Sequence, residues 1–194
     1  MLKTLSSKNY LIFDFDATID TLLIDWSLYG EEFFQLVDTF DPRITISKMD
    51  TSYDFQIRCI EKLGEEINQA FIKYAEDFEK KHYTGHVPNE ALVQFIRNNQ
   101  ENYEFFLWTS NALSVVLPVL EELQIDKSFQ KIISRGSVSF PKPHPDGFSQ
   151  ISEGRGKKQD YVMIGDSDND SRAAHNAGID FIHVTDFEKM IQDL

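Results

Sequence analysis

The residues best suited to chemistry in this chain fall into four short groups. "FDFDAT" places Asp14 and Asp16 two apart at the end of an apolar run, and "LWTSN" ends another such run on the hydroxyls of Thr109 and Ser110. "PKP" holds Lys142 between two prolines, and "IGDSDND" brings Asp166 and Asp170 after a third apolar run. Paired carboxylates at a strand end repel one another and resist desolvation. One reading of them is a solvated strand terminus. The other is a site where carboxylates, hydroxyls and a cation serve one substrate as nucleophile, acid, base or metal ligand. The acids of "DSDND" also fit the first, third and fifth positions of a calcium loop. That loop needs glycine next and glutamate at its twelfth position, where this chain has Ser171 and Ala177, so a strand-to-helix turn is the better reading.

Elements that could position these groups are legible around them. "YLIFDF", "YEFFLW", "KII", "YVMIG" and "FIHV" are short apolar runs without strict alternation, as expected of strands covered on both faces. Between several of them lie helical patterns. "NEALVQFIRNNQ" spaces Ala91, Leu92, Phe95 and Ile96 along one face, just after Pro88. "SVVLPVLEELQI" does the same with Val116, Leu117, Leu120 and Leu123; a start near Ser114 keeps Pro118 where its missing N–H costs little. Strand alternating with helix predicts an α/β fold, a doubly wound parallel sheet that binds ligands beyond its carboxyl edge.

A different texture separates the first strand from the rest. "EEFFQLVDTF", "YDFQIRCIEKLG" and "EEINQAFIKYAEDFEKK" are amphipathic and helical, with acidic outer faces. The expected division is a core of residues 1–20 and 85–194 with a helical cap, residues 21–84, inserted in it. Phe71, Tyr74, Ala75 and Phe78 read as the cap's own core. His82 and His86 read as an exposed boundary segment, since Gly85 interrupts their helical spacing and Pro88 follows.

The chain has 194 residues, 41% of them hydrophobic, enough for one globular unit. Its net charge of -13 argues against a broad basic face for nucleic acid or anionic membrane, while a small phosphorylated substrate stays compatible if a cation and a lysine invert the local potential. Cys59 is the single cysteine, so no internal disulfide forms. The opening "MLKTLSSKNY" lacks the apolar core of a signal peptide, and no run is long enough to cross a bilayer. The expectation is a soluble, cytoplasmic protein, with oligomeric state left open.

In this order, "DFDATI" as D-x-D-x-T, "FFLWTS", "PKPHP" and "IGDSDND" resemble the haloacid dehalogenase (HAD)-like hydrolase superfamily of phosphatases and phosphotransferases. The helical insertion resembles its phosphoglycolate phosphatase-type branch, and the likeness covers nearly the whole chain. It implies a Rossmann-like core, a bound Mg2+ and an aspartyl-phosphate intermediate. Asp14 would then be nucleophile and metal ligand, and Asp16 the acid and base, its backbone carbonyl also facing the metal. Thr109, with Ser110 as the alternative, would bind the phosphoryl oxygens; Lys142 would contact both phosphate and Asp14. Asp166 would ligate the metal, and Asp170 would ligate it too or stand behind the ligands.

The implied function is Mg2+-dependent hydrolysis of a small phosphomonoester, with a phosphomutase or a non-catalytic phospholigand-binding protein as alternatives. Dehalogenation is disfavoured by the acid/base carboxylate of Asp16. Ala17 stands where relatives commonly have glycine, so a positive φ there would be costly, and the "IDT" segment is a residue short. Arg43, Lys48 and Arg58 are the cap's candidates for reading a substrate's polar end.

Overall fold

The computed structural model describes residue 5 and residues 7–45 and 52–192. In chain order the strands are β1 (Tyr10–Phe13), β2 (Asp20–Leu22), β3 (His86–Pro88), β4 (Glu104–Trp108), β5 (Phe129–Ile133), β6 (Tyr161–Gly165) and β7 (Asp180–His183). Five form a parallel sheet in the order β5-β4-β1-β6-β7. β1 is central, and Leu11, Ile12 and Phe13 are each fully buried, which is why its sequence is apolar without alternation. Leu11 and Phe13 face one side and Ile12 the other, so the strand feeds two cores.

On the first face pack α4 (Glu90–Asn98), α5 (Leu113–Glu122) and α8 (Val184–Gln192), through Leu92, Ile96, Val116, Leu120 and Phe187. On the second lie α6 (Asp146–Ile151) and α7 (Asp168–Ala177), through Phe148, Ile151, Ala173 and Ala174. This is the doubly wound Rossmann-like arrangement expected from the strand and helix patterns. Each large side chain so buried contributes about 1.5–3 kcal/mol of transfer free energy.

Between β2 and β3 run α1 (Tyr29–Phe40), α2 (Ser52–Leu63) and α3 (Glu65–His82). They have a hydrophobic cluster of their own, built on Phe33, Val37, Phe55, Cys59, Ile60, Ile67 and Phe71. Phe33 stacks on Phe71 at 4.9 Å between ring centroids. Phe71, Ala75 and Phe78 are buried as their spacing predicts, and Tyr74 reaches the Tyr29 carbonyl at 2.7 Å. β2 and β3 pair antiparallel at the base of this layer, Thr21 opposite Val87. Among the described residues no helix is long and apolar enough to cross a membrane.

Several local expectations need correction. On α4 the buried set is Leu92, Val93, Phe95 and Ile96, with Ala91 exposed, so the apolar face is rotated toward the larger side chain. Helix α5 starts at Leu113, one residue before the expected Ser114, yet Pro118 is still interior. Both Ser114 and Pro118 are exposed, so water can solvate the carbonyl that the missing N–H leaves free. Ala17 adopts φ +57° despite its Cβ. The turn compensates by directing the N–H groups of Thr18, Ile19 and Asp20 at the Phe15 carbonyl, at 3.2, 2.9 and 3.1 Å. His86 is half-buried rather than exposed, with Nδ1 2.7 Å from Oδ2 of the buried Asp20.

Candidate active site

The carboxyl ends of β1, β4 and β6 deliver the chemical groups to one edge of the sheet, because parallel register aligns all three ends. Asp14 follows β1 directly, its N–H donating to the Ile164 carbonyl at 2.9 Å. Asp166 follows β6, and Thr109 and Ser110 follow β4. Asp170 lies in the first turn of α7, where Ser167 is the N-cap: each side chain accepts from the other's backbone N–H, at 3.2 Å. Gly165 is required here, since a Cβ would lie 2.7 Å from the Asp170 carboxyl.

Lys142 closes the arrangement. Its Nζ donates to Asp14 Oδ1 at 2.7 Å and to Asp170 Oδ1 at 2.5 Å, and it is only 3% exposed. Asp170 Oδ2 takes the Ser167 hydroxyl at 2.5 Å, so both its oxygens are bonded. Burial, and then the Asp170 charge, push the Asp14 carboxyl up to about 8, against the pull of Lys142. Lys142 is held charged, its carboxylate neighbours outweighing burial. Asp166 is also raised, by burial and by Asp170. Asp16 is raised by burial, though its Oδ1 accepts from the Leu22 N–H at 2.8 Å.

Asp14, Asp166 and Asp170 each offer a carboxylate oxygen, and these atoms lie within 4.8 Å of one another. Three carboxylates against one lysine leave an excess of negative charge in a desolvated place. An all-oxygen donor set with that excess fits a hard divalent cation such as Mg2+. The carboxylate of Asp16 is not in this group.

Asp14, Asp16, Ser110, Lys142 and Asp170 line one cavity of about 290 Å³. Thr109 is buried beside it but does not line it; its hydroxyl donates to Asn111 Oδ1 at 2.8 Å and accepts from Asn111 N–H at 3.1 Å. The Ser110 hydroxyl is buried with no partner. The rest of the lining escaped sequence reasoning: Trp26, Tyr53, Glu79, Asn111, Arg135, Ser167 and Asn169. Ser167 was accessible in principle, as S-x-x-D is a capping signal. Glu79 sits in "EDFEKKH", which reads as any solvated helix face, although the residue is fully buried.

The cations expected to read a substrate lie elsewhere. Arg43 is exposed and folded back on Asp41, with Nε 2.8 Å from Oδ1. Arg58 reaches the Thr45 carbonyl at 3.2 Å and lies over the Phe55 ring. Neither lines the cavity, and Lys48 lies outside the described residues. Besides Lys142, the cation among the described residues that lines it is Arg135, 8% exposed, in the turn after β5.

Comparison with known proteins agrees with this geometry. The family described as haloacid dehalogenase-like hydrolase matches residues 11–184. A phosphoglycolate phosphatase of Escherichia coli (strain K12) is 38% identical over 80 residues, which is 41% of this chain and 32% of that protein. The match thus spans about a third of the relative's length. A HAD-superfamily hydrolase from Ehrlichia chaffeensis aligns at TM-score 0.53 and 19% identity, covering 96% of this chain and 98% of that one. A HAD-hydrolase structure from Bacillus subtilis, bound to magnesium, aligns at TM-score 0.53 and 16% identity, covering 90% and 85%. Both share the fold.

Proposed function

The chain belongs to the haloacid dehalogenase-like hydrolase family, and we propose that it is a Mg2+-dependent phosphatase that hydrolyses a small phosphomonoester through an aspartyl-phosphate. The observation that carries the reading is Lys142 clamped between Asp14 and Asp170, with Asp166 beside them, in a cavity on the sheet's carboxyl edge. Asp14 is the nucleophile: a carboxylate on the end of a central strand is aimed by the sheet and can form an acyl phosphate. Its attack on a phosphate requires the negative charge around it to be neutralised, which Lys142 begins.

Asp16 donates a proton to the leaving alcohol and then takes one from water. A half-buried carboxyl with a raised pKa and a backbone N–H fixing one oxygen suits that pair of tasks. Ser110, a lining residue whose buried hydroxyl has no partner among the described residues, binds a phosphoryl oxygen, while Thr109 orders the Asn111 turn beside it. Asp14, Asp166 and the Asp16 carbonyl would hold the Mg2+, with Asp170 anchoring Lys142 behind them. When bound, that ion supplies charge stabilisation for the transferring phosphoryl group. Residues 21–84 serve as the cap over a core of residues 1–20 and 85–194, limiting access to small phosphorylated metabolites.

The test is phosphate release from a panel of small phosphomonoesters, with Mg2+ and with chelator, for the protein and its Asp14→Asn variant. The expected result is release that needs both the metal and Asp14, with the variant slower by about 10³-fold or more and circular dichroism unchanged. Release that survives in Asp14→Asn would sink the assignment. Turnover that appears only with a sugar bisphosphate would move it to a mutase.

A further inference from the structure

The cavity holds a buried carboxylate for which the proposed mechanism has no task. Glu79 comes down from α3 with no exposure at all, and its side chain is fixed because one oxygen, Oε2, accepts from the Ala112 N–H at 2.9 Å. The other, Oε1, is buried and has no hydrogen-bond partner among the described residues, in a residue that lines the same cavity as Asp14 and Lys142. The Asn111 side chain is near enough to lower the Glu79 pKa against the larger effect of burial, yet it does not complete a hydrogen bond to Oε1. An unpartnered carboxylate oxygen in a dry site costs about 1–3 kcal/mol or more. Such a cost persists where a ligand removes it.

Arg135 stands next to Glu79 but is turned toward protein acceptors. Its Nε donates to the Ser110 carbonyl at 2.8 Å and Nη1 to Gln56 Oε1 at 3.1 Å, and Tyr53 is a further partner. The unfilled valence at this end of the cavity is therefore an acceptor. A carboxylate on the substrate would meet Glu79 unfavourably, and an N–H or O–H donor would complete it.

We infer that Glu79 is a specificity residue, and that the substrate's alcohol portion carries an ammonium or hydroxyl donor that bonds Glu79 Oε1 while the phosphate sits on Lys142 and Ser110. This rests on the phosphatase reading of the site. It also separates the chain from the one-third match to a phosphoglycolate phosphatase, whose named substrate bears a carboxylate at that end.

The test compares four esters at pH 8 with Mg2+: phosphoethanolamine, glycerol 3-phosphate, propyl phosphate and phosphoglycolate. Burial raises the Glu79 carboxyl to about 7, so it is ionised there. The expected kcat/KM for at least one donor-bearing ester exceeds that for propyl phosphate and phosphoglycolate by about tenfold or more. Which donor wins tells ammonium from hydroxyl. In Glu79→Gln the Ala112 N–H still requires an oxygen, so the amide must turn its NH2 into the cavity. The donor preference should then shrink by about tenfold, with phosphoglycolate gaining relative to the others. A loss that is equal for all four esters, with a lowered Tm, would show a merely structural role and overturn the inference.

Wild-type preference for phosphoglycolate would overturn it without any variant. Binding of the same esters to Asp14→Asn, by calorimetry, separates the two readings. Selective binding of donor esters with no turnover in the parent protein retains the inference and sinks the phosphatase. Turnover without selectivity does the reverse.

Discussion

At the sheet's carboxyl edge Asp14, Lys142, Asp170 and Ser167 form an unbroken chain of hydrogen bonds, whereas Glu79 on the helical layer has one oxygen bonded and the other bare among the described residues. That edge comes from parallel strands whose register admits little movement. The helical layer is joined to the core by the short β2–β3 pair and by side-chain contacts such as Arg172 with Asp54, at 3.0 and 2.6 Å. A reaction common to many substrates belongs on the rigid side, where geometry must be constant. Selection among substrates belongs on the side with an unfilled valence.

The difference can be broken most severely at Lys142. In Lys142→Ala the Asp14 and Asp170 carboxylates lose their shared cation inside the protein, and the expected loss of stability is about 3 kcal/mol or more. Urea unfolding measures it. Turnover should fall with it, and saturating Mg2+ should not restore the rate; full recovery at high magnesium would make Lys142 a dispensable charge.

Metal binding probes the same edge more gently. Asp14, pushed up to about 8, must shed its proton before it can ligate, so Mg2+ affinity should strengthen as pH rises between about 7 and 9. Calorimetry in buffers of different ionisation heat would detect the released proton. In Asp166→Asn the affinity should drop by roughly 10–100-fold. A pH-independent affinity would place the ion away from Asp14.

The hinge should respond to pH in a different window. Burial lowers the His86 pKa, but the hydrogen bond and charge of Asp20, followed by Glu122, outweigh it and leave it raised above 6.5. A raised histidine pKa stabilises the fold fully below about 6.5, and this contribution is lost as pH rises through the folded-state value. Tm should therefore fall as pH rises above about 6.5 by more in the parent than in His86→Gln. Equal slopes would show that His86 contributes nothing to the joint.

Arg172→Met should produce the smallest effect. The pair with Asp54 is partly exposed, so its loss should cost no more than about 1 kcal/mol and matter less at high salt. Because it links α7 to α2, KM should rise a few-fold while kcat changes little. A larger drop in kcat would show that the pair helps to set the edge itself.

The core was legible because its signals are local. The runs in the parallel sheet are mostly apolar without strict alternation, and a carboxylate or hydroxyl directly after such a run stands at the sheet's edge. Asp14, Thr109, Ser110 and Asp166 follow from that rule. β2 and β3 were not legible, since three-residue strands carry no period. The choice between Thr109 and Ser110 was also beyond a spacing argument. The proposed reading turns on which hydroxyl bonds within the Asn111 turn, and that is Thr109.

By itself, then, the sequence determined a doubly wound α/β core, a run of helices after the first strand, and a set of carboxylates and hydroxyls at strand ends with one proline-flanked lysine, because strand and helix periods are written in neighbouring residues. Tertiary structure alone decided that Glu79 is buried and Arg43 is not, and that Arg135 and Tyr53 meet at the cavity. Glu79 and Arg43 are both charged residues of the insertion; what separates them is which surface each faces once three helices have packed on a sheet. That orientation is a property of the packing and has no signature at either position in the chain.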